Sequence, residues 1–250
     1  MQLTDIASPI PQNLKPELVP ALPRLDLYAG IHKAMRAMMA DALVALGAAD
    51  AADEDSIENA LKKLERLIEL AAGHLEHENR FIHPAVEARR PGTVERIAEE
   101  HLSHETALDE LRAGVRAVRR ARGPVRQAVA DRLYRALALF VAHNFEHMEV
   151  EEDVHNSALW EAYSDAELAS IHDRLVAAIE PAKMMAYLRW MIPSVSHAER
   201  VGMLSGMRIG APEGVFEALL DLAMAALPQP EWAKLARALG VPPVPGLVRC

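Results

Sequence analysis

Eleven histidines are unevenly spread along this 250-residue chain. Nine of them (His32, His74, His77, His83, His101, His104, His143, His147 and His155) fall within or at the ends of four stretches with helical periodicity. Two stretches repeat the pattern His-x-x-x-Glu, first as His74 and Glu78, then as His147 and Glu151. A helix turns about 100° and rises about 1.5 Å per residue, so residues four apart stand about 40° apart and about 6 Å along one face. An imidazole and a carboxylate so placed can reach the same metal ion. His101 and His104 are three apart and share one side of their stretch, with Glu105 one turn beyond His101, and His32 is the sole candidate on the first stretch. Such groups repeated on core-facing stripes are costly unless paired or metal-bound, so metal binding is the chemistry expected of them.

The donor types narrow the metal. The single cysteine, Cys250, allows neither an internal disulfide nor a thiolate cluster,. A many-ligand nitrogen and oxygen site suits non-haem iron or manganese better than tetrahedral zinc. His83, His155, His172 and His197 are read as solvent-facing or hydrogen-bonded side chains, the commoner fate of a helical histidine. His77 and His143 are read as spectators, although His143 lies one turn before His147 on the same face. Tyr28, one turn before His32, either hydrogen-bonds at the site or packs against the end of the bundle. Met35, Met38, Met39, Met184, Met185 and Met191 are core filler at helical spacing.

The elements that must position these groups are helical. Composition is 51% hydrophobic and 25% charged with only 4% aromatic residues, and Ala, Leu, Glu and Arg dominate, which favours an all-α fold. Residues 1 to 23, with five prolines, form an irregular leader,. Apolar spacing predicts helices over about 25–46, from the acidic Asp53 to about Pro84, between Pro91-Gly92 and Gly123-Pro124, and over about 125–154. Four helices with modest loops imply an up-down bundle. Ser164 and Glu167 have the spacing of a capping box and open an extra helix over about 165–179, so the bundle unit spans 24 to 180. From 181 to 250, short helices punctuated by Pro193, Gly210-Ala211-Pro212 and Pro228 to Pro230 make a C-terminal segment expected to cover the bundle, a second copy or a protein partner. A net charge of -9 with no basic tract excludes nucleic acid,. The absence of a long apolar run or an amino-terminal signal excludes a membrane and favours the cytoplasm.

The order of one His, then His74, Glu78 and Pro84, then Glu100-His101, then His147, Met148, Glu151 and Glu152 resembles the hemerythrin-like (HHE cation-binding) domain over roughly residues 24 to 180. The resemblance implies two non-haem iron ions, bridged by two carboxylates and an oxygen species, with open coordination for dioxygen or peroxide. It implies His32, His74, His101, His104 and His147 as terminal ligands and Glu78 and Glu151 as bridges. The oxygen carriers of that family place two histidines four apart on the third helix and an aspartate five after the histidine on the fourth. Here the spacings are three and four, so Glu105 stands in reserve and Glu152 competes with Glu151. Three functions follow as expectations. The first is a protein that binds or senses oxygen or iron. The second is a di-iron oxidoreductase, peroxide-decomposing or an oxygenase on a small organic substrate. The third is a metal-free or zinc-stabilised scaffold.

Overall fold

The computed structural model describes residues 24–210 and 213–243. The leader expected over 1–23 lies outside them. Every regular element among the described residues is helical, as composition predicts. The first helix, α1 (Ala29–Gly47), begins four residues later than the apolar spacing suggests. The Asp26 carboxylate accepts from the backbone N–H groups of Tyr28 and Ala29, each at 2.8 Å, and holds the chain in a turn there,. The second helix, α2 (Glu54–His77), opens on Asp53, whose carboxylate accepts from the N–H groups of Asp55 and Ser56. Glu54 and Asp55 complement the helix dipole in its first turn,.

The second and fourth bundle helices are not regular. After α2 the chain makes a wide π turn, π1 (Glu78–Ile82), before α3 (His83–Arg89). The His83 N–H reaches back five residues to the Glu78 carbonyl, and Pro84 has no N–H to offer the turn before it. The third bundle helix is α4 (Glu95–Arg120). Gly123, at a φ of 57°, turns the chain into α5 (Pro124–Val150), which a second wide turn, π2 (Glu151–His155), joins to α6 (Asn156–Ala162). In π2 the Asn156 N–H again reaches five residues back, to the Glu151 carbonyl. No proline lies nearby, so the wide turn does not depend on one. The helix expected over 125–154 is therefore interrupted at the glutamate.

Helix α1 packs on α2 and α5, and α4 packs on the same two, which closes a four-helix bundle,. Its core runs from Met35, Met38 and Leu46 on α1 through Leu64, Leu67 and Leu75 on α2 to Leu108, Val115, Leu137 and Met148 on α4 and α5. Beyond the bundle, α7 (Asp165–Ala177) carries the predicted capping box intact. Its Leu168 and Ile171 join Tyr28, Ile82, Val86 and Leu159 in a second apolar cluster.

The C-terminal helices are α8 (Pro181–Ser194), α9 (His197–Gly210), α10 (Glu213–Ala226) and α11 (Gln229–Leu239). Pro193, expected to break a helix, lies inside α8 close to its end. The buried Arg200 caps the carbonyl groups freed there, donating from Nε to Ile192 O at 2.7 Å,. Helix α8 covers α1 and α2: Tyr187 donates from its hydroxyl to Leu70 O at 2.7 Å. Gly73 permits that approach, since a Cβ there would stand 2.9 Å from the Tyr187 hydroxyl. The other face of α8 sends Leu188 and Ile192 into a third core with Leu204, Leu219, Trp232 and Leu235. No helix among the described residues is long and apolar enough to cross a membrane.

Candidate metal centre

The polar groups occupy one level of the bundle, between two dry layers. Tyr28 of one apolar cluster, just before α1, is followed on that helix by His32 and then by Met35 of the main core. The second and fourth helices read the other way: main core to Leu75 and Met148, then the glutamates, then Ile82 and Ala158 of the outer cluster. Water is thereby excluded from both sides, which strengthens every electrostatic interaction between them. His32, Glu151 and His155 have no solvent exposure, and Glu78 and His101 have 1% each.

Both carboxylates face donors on two sides. Glu78 Oε1 lies 3.2 Å from His74 Nε2 and 3.5 Å from His32 Nε2, while its Oε2 lies 3.7 Å from His101 Nε2. Glu151 Oε2 lies 3.4 Å from His147 Nε2 and 3.5 Å from His32 Nε2, while its Oε1 lies 3.7 Å from His101 Nε2 and 3.8 Å from His83 Nε2. Three overlapping sets result, each with donor atoms within 4.8 Å of one another: Glu78, His101, His147 and Glu151; His32, His74 and Glu78; and His83, Glu151 and His155. None of the four carboxylate oxygens has a hydrogen-bond partner, nor do His32 Nε2, His74 Nε2 and His83 Nε2. Orphaned buried acceptors at this density are what a cation-binding cavity presents.

The outward nitrogens explain the inward ones. His101 Nδ1 stands 2.7 Å from Asn79 Oδ1, and His147 Nδ1 stands 2.9 Å from Glu100 Oε2, which Arg96 also holds. Both rings therefore donate outward from Nδ1 and turn bare Nε2 lone pairs inward, where the two nitrogens are 2.9 Å apart. Facing lone pairs repel unless a proton or a cation lies between them, and two nitrogens each about 2.1 Å from one ion at a right angle are separated by about 3 Å. His32 Nδ1 is held by Glu152 at 2.9 Å, itself anchored by Arg36 at 2.6 Å. These outer contacts fix ring orientation as second partners of metal-binding histidines do.

Burial, and then the charge on His32, holds His74 well below the usual histidine range, while burial lowers His101 and takes His155 down to about 4. These rings are in the neutral, ligating form. Burial and then the Glu151 charge push Glu78 up to about 8. Burial also pushes Glu151 upward, but His101 and His83 outweigh it and hold that carboxyl well below its usual range. Burial lowers His32, yet its hydrogen bond to Glu152 and the nearby Glu78 and Glu151 carboxylates prevail and raise it to about 9. Without a cation, Glu78 and His32 are thus both shifted toward their protonated forms. Metal uptake at pH 7 is expected to release about two protons per chain and to release progressively fewer as pH rises past 9. Proton release measured in weakly buffered titrations checks this, and a constant value from pH 7 to 9.5 contradicts it.

The structure brings His32, His74, Glu78, His101, His147 and Glu151 together. It does not bring in His104, which stands beside the cluster with its ring against Phe140 and His147. Glu105 is exposed. Glu152 holds His32 from outside instead of competing with Glu151. His83 and His155, read from the sequence as solvent-facing or hydrogen-bonded, are both buried, and both lie in one donor set with Glu151. His155 continues the run His147, Glu151, His155 at steps of four, a signal present in the sequence. His83 follows Glu78 by five, which on a regular helix lands about 140° away. The π1 turn makes that spacing productive, as such turns often do at functional sites. Tyr28 is fully buried, and its hydroxyl lies 3.2 Å from His155 Nδ1, so it both packs in the outer cluster and meets the donor set. His77 is buried outside the donor sets, and His143 and His172 are exposed.

No curated protein and no solved structure matches this chain. The family described as Hemerythrin HHE cation binding domain matches residues 25–159, the span from the turn before α1 to the last turns of α6 that contains every donor above. With more than half of its length matched and its buried imidazoles and carboxylates grouped as a cation site requires, the chain belongs to the hemerythrin HHE cation-binding family.

Proposed function

We propose that this is a non-haem di-iron protein that takes dioxygen or peroxide at the bundle centre. The observation that supports it is the pair of buried glutamates whose four unpartnered oxygens divide between six inward imidazoles. Glu78 and Glu151 would bridge two ions, with His32, His74, His83, His101, His147 and His155 as terminal donors. An all-nitrogen-and-oxygen set of this size favours iron over zinc, which needs four ligands and often uses thiolate. When bound, the two ions supply reversible one-electron chemistry toward dioxygen or peroxide. The chain's own contribution is to hold the rings by their outer nitrogens, keep water out between two apolar layers, and place the Tyr28 hydroxyl beside His155.

Metal analysis and an optical spectrum of aerobically purified, iron-replete protein test the reading. Two irons per chain with a visible charge-transfer band of a coupled ferric pair are expected. A band that bleaches reversibly when oxygen is removed marks an oxygen-binding or sensing protein, whereas oxygen evolution from added peroxide marks a peroxide-decomposing enzyme. Protein that takes up zinc or nothing from iron-replete medium overturns the proposal in favour of a scaffold.

A further inference from the structure

Beside the metal centre, α4 and α5 enclose a groove of about 500 Å³, within the size range of small-ligand sites. One wall is apolar, formed by Ala107 and Leu111 of α4 and by Ala136, Leu139 and Phe140 of α5. Leu139 is 62% exposed and adds its side chain to that wall. The floor is His104, buried, with Nδ1 lacking any partner among the described residues. Its ring contacts the His147 ring at a centroid distance of 4.7 Å. The rim is acidic. Glu110 and Glu146 line it and form no ion pair among the described residues, Ser103 and the exposed His143 share the lining, and the one guanidinium there, Arg96, is already engaged by Glu100.

We propose that this groove binds a small aromatic amine, with the ring against the apolar wall and the ammonium toward Glu110 and Glu146. The apolar lining favours a flat hydrophobic body, and Phe140 offers it a ring face or edge. The acidic rim, without a free cation, disfavours anions and attracts a positive tail. An aromatic hydroxyl at the inner end would find His104 as its partner. Glu100 lines the same groove and holds His147 Nδ1 at 2.9 Å, so an occupant lies one residue away from the metal centre. That last link rests on the di-iron reading, but occupancy of the groove does not.

Tyramine is the probe, with 4-ethylphenol and 4-hydroxyphenylacetate as its uncharged-tail and anionic-tail counterparts, titrated calorimetrically into the metal-loaded full chain. Tyramine is expected to bind saturably, about tenfold tighter than 4-ethylphenol, and the anionic compound not to saturate. Ala136→Trp, at an exposed position, should fill the groove and weaken tyramine at least about tenfold without changing metal content. The pair Glu110→Gln and Glu146→Gln should erase the preference of tyramine over 4-ethylphenol. Equal binding of the three compounds, binding unaffected by Ala136→Trp, or a new phenolate-to-metal absorption band overturns the assignment. Metal analysis of the same samples reports separately on the di-iron reading.

Discussion

Glu151→Gln should lower metal affinity by more than about a hundredfold, since outer-shell partners alone are commonly worth 10- to 100-fold and Glu151 is an inner donor. The substitution preserves size and burial but removes a negative charge and gives one arm two N–H donors where acceptors are needed. His147, His101, His32 and His83 all lie within 3.8 Å of its carboxylate oxygens, so no single imidazole compensates. Glu78→Gln should also lower metal affinity strongly, yet it should raise the thermal stability of the metal-free protein. Glu78 is a buried carboxyl raised to about 8 by burial and by the neighbouring Glu151 charge, a state that an amide avoids. The sign follows from linkage: a folded-state value above the unfolded one makes metal-free stability fall as pH climbs from about 4.5 to about 8. His32, raised to about 9, acts in the same direction, since its contribution is fully present below about 6.5 and lost through 9,. In Glu78→Gln the part due to Glu78 should vanish. Thermal melts of chelated protein at pH 5 and pH 8 decide it. A variant less stable than the parent at pH 8, or an unchanged pH slope, would sink the account.

The second large effect separates histidines that sequence spacing and the assembled donor sets rank differently. His83→Ala and His155→Ala should each weaken metal binding by about 10- to 100-fold or more, whereas His104→Ala should leave metal content unchanged. His83 and His155 share a donor set with Glu151, while His104 belongs to none and sits against Phe140 and His147. Competition with a chromophoric chelator across the three variants reads the difference. If His104→Ala loses as much metal as His83→Ala, the donor assignment is wrong.

Most of the fold is legible in residue spacing. The apolar stripes, the capping box at Ser164 and the breaks at Pro91-Gly92 and Gly123-Pro124 place the bundle helices to within a few residues, because each reflects local chemistry that the backbone cannot evade. The repeated His-x-x-x-Glu also finds half of the centre, since both pairs lie on regular helix up to their glutamates. Legibility fails where the helix stops being regular. A π turn has no strong residue signature, and only one of the two here is followed by a proline, so the face presented by His83 cannot be computed from 100° steps. It fails again on α4, where His101 and His104 share one side of the helix. Their fates are decided by Asn79 on one neighbour and Phe140 on another, contacts that exist only after the helices assemble.

Helix α8 carries a consequence for how the chain comes into being. It lies across α1 and α2, which precede it in synthesis, yet it begins at Pro181, downstream of every histidine and glutamate in the centre. During synthesis the bundle and its whole donor set emerge while the flank of α1 and α2 is still bare, and that flank is closed only when α8 follows. The donor set is thus complete in the growing chain before the helix that closes this flank has been made.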